Sequence, residues 1–128
     1  SGEFVSFKDI ASKPAPANGT VPIHIGGHSA ASARRAGRIG DGFFPAGGDT
    51  KELIDIVRQT AADNDRDPAA IEITTFSFGL FGDDPIAAVE EMHDMGVHRL
   101  MVPAYMVAND PENDLAGWGE RIISQVSE

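Results

Sequence analysis

The chain has 128 residues, no cysteine, 41% hydrophobic residues and a formal net charge of -10. That length predicts a single domain able to bury a core, and the apolar content argues against disorder. The acidic balance speaks against nucleic acid and anionic membranes as partners, the missing cysteines exclude disulfide scaffolds and thiolate chemistry, and no apolar run approaches the roughly 20 residues of a membrane span.

Along the chain, residues 1–20 read as an irregular lead-in. Phe4, Val5 and Phe7 are candidates for a short extended piece, and KPAPANGT (13–20) reads as a linker. Regular patterning begins at Val21. Val21–Ile25 is a short β-branched run ending in Gly26-Gly27, and Ser29 is placed to cap a helix over Ala30–Ala36, with Gly37 as its stop. Gly42–Pro45 gives a second short strand. Asp49 or Thr50 can cap a helix from Lys51 to about Asp63, whose Leu53, Ile54, Val57 and Ala61 share one face. Ile71–Phe78 alternates like a strand. Asp83 or Asp84 caps a helix with Pro85 in its first turn, running to Met95 before Gly96. Arg99–Val102 is the fourth strand, and Asp114 is the expected cap of a last helix carrying Leu115, Trp118, Ile122 and Ile123. Four βα units demand parallel strands joined by right-handed crossovers. Four strands curved as in a barrel leave two bare edges, so residues 21–128 read either as an open sheet or as half of something larger. A complete (β/α)8 barrel takes about 250 residues.

The loop Gly26-Gly27-His28-Ser29 is the foremost candidate site. Glycines at the end of a parallel strand let the backbone approach a ligand, and the following helix offers free N–H groups and a positive dipole end. A phosphate needs these features; a tight turn with a serine cap and no ligand is the bland alternative. Arg34 and Arg35 can strengthen such a site or form a solvated face, and Asp41 is a candidate partner for Arg34, Arg35 or Arg38. Core packing is the expected role of Phe43 and Phe44. His24, inside a strand, reads as structural, and the spacing of His93 and His98 is poor for a metal. No metal site and no nucleophile elbow are expected. Asp83, Asp84, Glu90 and Glu91 read as helix-dipole complement and solvated face.

The stretch PIHIGGHSAASARRAGRIGDGFFP, Pro22 to Pro45, resembles the central signature of the luciferase-like monooxygenase superfamily, and more narrowly its branch using the deazaflavin coenzyme F420. The lead-in GEFVSFKDI…KPAP and the later MGVHRLMVP are similar to the family in the same order. The resemblance implies that the chain is the C-terminal half of a (β/α)8 barrel, strands five to eight, of an enzyme that transfers a hydride or activates dioxygen on a small-molecule substrate. It implies a cofactor-phosphate loop at Gly26, Gly27 and Ser29, with Ile25 and His28 beside them, and F420 as cofactor with FMN as the alternative. No catalytic acid or base carries over, because the family's ring and substrate contacts come largely from units this chain lacks. The chain alone is therefore expected to be inactive, and to pair with a missing N-terminal half-barrel or with a second copy of itself. A non-catalytic binding or assembly half-barrel is the alternative function. No signal-peptide pattern opens the sequence, and the cytoplasm is the expected compartment.

Overall fold

The computed structural model describes residues 2–11, 13–106 and 110–126. Its regular elements alternate: β1 (His24–Gly27), α1 (Ala30–Ile39), β2 (Gly42–Pro45), α2 (Thr50–Ala62), β3 (Glu72–Thr75), α3 (Pro85–Asp94), β4 (Arg99–Leu100) and α4 (Pro111–Trp118). The strands form one sheet in the order β1-β2-β3-β4, with all three pairings parallel. The fold is therefore α/β, built of four consecutive βα units, as the rhythm of the sequence requires, and it is consistent with part of a (β/α)8 barrel.

Strand alternation divides the sheet into two unlike faces. Register places Ile25 beside Phe43 and Phe43 beside Ile73, and these residues face the helices. Phe43 is fully buried there with Ile54, Val57, Ala61, Ala33 and Ala36. Helix α1 presents only alanines and Gly37 to this core, while α2 presents Leu53, Ile54, Val57 and Ala61. The opposite face carries His24, Gly42 and Glu72 in one register row and Thr74 beside Arg99 in the next. It is polar and partly exposed.

Arg66, in the α2–β3 connection, ties these elements together. One guanidinium nitrogen donates to the carbonyls of Ala36 (3.2 Å) and Gly37 (2.7 Å), the other to that of Gly40 (2.6 Å). These carbonyls lie in and just beyond the last turn of α1, which needs partners there and favours a cation.

Several boundaries differ from the sequence expectation. The first strand is His24–Gly27, not Val21–Ile25, because the ladder with β2 starts at His24↔Gly42 and runs to Gly27↔Pro45. Gly26 and Gly27 thus lie inside the strand, while Val21 and Ile23 are exposed. Gly37 does not stop α1, which continues to Ile39 with Gly40 as its C-cap. Gly37 is instead a close-contact residue: a Cβ there would lie 2.6 Å from the Val57 carbonyl oxygen and 2.6 Å from the Thr60 Cβ. β3 stops at Thr75, and Phe78–Phe81 forms a 3-10 turn capped by the Ser77 hydroxyl. β4 ends at Leu100 rather than Val102. Asp110, not Asp114, caps the final helix, since Pro111 fits its first turn and the Asp110 carboxylate accepts from Asn113 N–H. That helix runs on through a π turn over Gly119–Ile123. Phe4, Val5 and Phe7 lie outside any strand and are exposed.

Candidate functional site

The β1–α1 loop is built by two serines and one glycine. Ser29 caps α1: its hydroxyl oxygen accepts from Ser32 N–H (3.3 Å), while Ser29 N–H donates to Ser32 Oγ (3.2 Å). The Ser32 hydroxyl donates to the Ser29 carbonyl (2.7 Å), closing a reciprocal box. Gly27, at φ +153°, passes directly beneath it, and a Cβ there would run into the side chain of Ser32. Gly27 is therefore explained by packing within the loop. Gly26 is not: a Cβ at that position meets nothing within 4 Å. The first-turn donors that the box leaves over are the N–H groups of Ala30 and Ala31.

Charge distinguishes this helix end from the others. α2, α3 and α4 are capped by the carboxylates of Asp49, Asp84 and Asp110. α1 alone among these four has a neutral cap, and its first turn holds no acidic residue. An anion is thus disfavoured at three helix N-termini, where a carboxylate already occupies the positive dipole end, and is unopposed at the fourth. The flanking residues are less engaged than the sequence suggests. Arg34, Arg35 and Arg38 are exposed and form no ion pair among the described residues. Asp41 pairs with none of them, because its carboxylate accepts from Ile23 N–H (2.8 Å) and fixes the entry to β1. His28 is exposed at the loop tip, and Ile25 is half-buried against the core.

A second glycine loop, missed in the sequence, adjoins the first. Gly47 (φ +136°) and Gly48 (φ +80°) join β2 to α2, and a Cβ on Gly48 would lie 3.4 Å from the His28 carbonyl oxygen. Ala46 N–H donates to the Gly27 carbonyl (3.1 Å), joining the two loops at the C-terminal ends of their strands. The signal was present in A-G-G-D-T, which repeats the pattern of a glycine pair before a helix cap. Phe44, expected in the core with Phe43, lines a cavity at this end of the sheet instead. One step along a strand sends them to opposite faces.

The polar face of the sheet holds a network that only the fold assembles. Arg99 pairs with Glu72 (2.8 Å), Thr74 Oγ1 donates to the same carboxylate (3.2 Å), and His24 Nε2 lies 3.9 Å from it. The His24 ring covers Gly42, where a side chain would collide with it. His93 closes the last turn of α3, whereas His98 accepts from Ile73 N–H through Nδ1 (3.0 Å), so the two serve different elements.

A four-stranded parallel βα sheet in sequential strand order is an α/β architecture consistent with part of a (β/α)8 barrel, a fold whose ligands generally gather at the C-terminal ends of the strands. The chain belongs to the luciferase-like monooxygenase family, whose description it matches over residues 1–127. It is similar to two proteins named only as uncharacterized, from Mycobacterium tuberculosis and Mycobacterium bovis, at 29% identity over 136 aligned positions. The match takes in 98% of the chain and 46% of each relative. The chain thus spans about half the length of the curated relatives it matches. The family is one of oxidoreductases. Among the described residues, no helix is long and apolar enough to cross a membrane.

Proposed function

We propose that the chain is the C-terminal part of a luciferase-like oxidoreductase and that its β1–α1 loop holds the phosphate of a flavin-type cofactor, F420 in preference to FMN. The observation that carries this reading is the neutral, unoccupied-by-carboxylate N-terminus of α1 beside the open Gly26. The residues fit a phosphate: Gly26 leaves room for it and Ala30 and Ala31 supply N–H groups, while the Ser29 hydroxyl is engaged in the capping box, accepting from Ser32 N–H and donating toward Ser32 Oγ (3.4 Å). Ile25 and His28 flank this position. When bound, such a cofactor supplies hydride transfer or dioxygen activation; this chain's loop binds and orients one end of it. The preference for F420 rests on the RRAGRIGDG segment following the loop.

The polar face, with its Glu72 network, would line the interior of a completed barrel, whose remainder, supplied by further sequence or by a second copy of the chain, would pair with the free edges of β1 and β4. Without that closure the chain is inactive by itself, and its setting is the cytoplasm. Titration with F420 and with FMN, read by cofactor fluorescence, tests the reading. Saturable binding of F420 that Gly26→Leu abolishes is the expected result. Unchanged affinity in Gly26→Leu would remove the loop from the site.

A further inference from the structure

A cavity of about 390 Å³ lies at the C-terminal ends of β2, β3 and β4, and its walls include Phe44, Thr75, Phe76, Phe78, Met101 and Tyr105. None of its lining residues carries a charge, in a chain that is 23% charged. An ion entering it would exchange water for aromatic and thioether surface with no counter-charge to meet it. Thr75, 3% exposed, gives its hydroxyl proton to the Pro45 carbonyl (3.3 Å), so its one donor is already engaged. At the rim, Phe78 and Tyr105 remain 74% and 71% exposed, an aromatic surface without cover among the described residues.

The cavity is continuous with the glycine loops. Ala46 and Gly47 line it, and the Ala46 N–H is the group that bonds to Gly27. The phosphate position and the aromatic walls are thus neighbours on the ligand end of one sheet. A second cavity, of about 370 Å³ beside α3 and α4, includes Leu115, Trp118 and Ile122 among its walls and none of the glycine-loop residues.

We propose that the cavity at the strand ends is a subsite for an uncharged, ring-bearing organic substrate, held by contact with Phe44, Phe76 and Met101 and offered a hydroxyl by Tyr105. Its part in a reaction rests on the cofactor reading of the neighbouring loop; its preference for neutral rings rests on its own walls. Such rings gain from offset or edge contact with aromatic side chains, and a methionine adapts to their outline.

The probes are 2-naphthol and 2-naphthoate, which share a ring system and differ in charge at neutral pH. The 128-residue chain, labelled with ¹⁵N, is titrated with each. The expected result is that 2-naphthol moves the amide signals of Phe44, Phe76 and Met101 and binds about tenfold more tightly than 2-naphthoate. Met101→Lys, at a 41% exposed position that the fold does not need, should reverse that order. Equal affinities, an unreversed order in Met101→Lys, or shifts confined to the surroundings of Leu115 and Trp118 would overturn the proposal. Gly26→Leu separates it from the cofactor reading. That variant keeps the naphthol preference, and loss of the preference there counts against an independent subsite. Failure of F420 and FMN to bind, with the preference intact, counts against the loop alone.

Discussion

Glycines at three positions have three different reasons, and the reasons predict different outcomes. Gly27 combines a positive φ with Ser32 directly above it, so Gly27→Ala breaks the loop in any ligand state. Its expected cost is about 1–3 kcal/mol, measured by denaturant unfolding. Gly37→Ala improves intrinsic helix propensity by about 1 kcal/mol. The added methyl nevertheless strikes the Val57 carbonyl and Thr60, and backbone cannot step aside cheaply. Net destabilisation of about 1–2 kcal/mol is expected, and a raised midpoint would show that α1 and α2 can separate. Gly26→Ala has free space around it and should be neutral to stabilising by about 0–1 kcal/mol. These roles were not legible in the sequence, where Gly26-Gly27 reads as one unit and Gly37 as a helix stop. The pattern shows that a glycine is needed, but what lies above its missing side chain depends on which elements later meet.

At the scale of elements, legibility follows the range of the forces. α2 and α3 were readable because their signals are local: Asp49 and Asp84 cap them, and Pro85 and Gly96 bracket α3. Composition alone starts the first strand three residues early, because its register is set by β2 and β-branched composition at Val21 to Ile25 is only a weak guide to pairing. The Glu72 network was invisible for the same reason, since His24, Glu72 and Arg99 become neighbours only through strand register. The glycine-serine segment before α1 is legible as a unit because glycine pair, serine cap and helix lie within a few residues. Its distinguishing neutrality emerged only once the other caps were assigned to aspartates. Arg66 is the element-scale test. Three carbonyls depend on its planar fork, so Arg66→Ala should lose about 1.5–3 kcal/mol. Arg66→Lys should recover only part of it, because an ammonium cannot span three acceptors in that geometry. Full recovery by lysine in thermal unfolding would mean that charge alone matters at this helix end.

The whole molecule presents one helix-covered face and one polar face, with β1 and β4 as the two sheet edges. β4 has only two residues, which limits the bare ladder it offers. β1 is longer and bears the loop. If a second copy closes the barrel, light scattering should give twice the 13.6 kDa chain mass. A monomer at all concentrations would leave closure to additional sequence. The packing also differs along the sheet. α1 and α2 share the central core, whereas α4 is joined to its surroundings by the Phe81–Trp118 ring pair (4.9 Å) and the buried Ile122.

The Arg66 fork has a consequence for how the protein opens. Because a side chain from the α2–β3 connection holds the end of α1, that helix cannot fray from its C-terminus without releasing the connection too. Amide protons of α1 and α2 should therefore exchange with deuterium together, at one rate and with one denaturant dependence, as a single cooperative unit. α4 should exchange earlier and separately. In Arg66→Ala the protons of Gly37 to Gly40 should leave the slow group first, exposing a second, smaller opening where the intact chain has one.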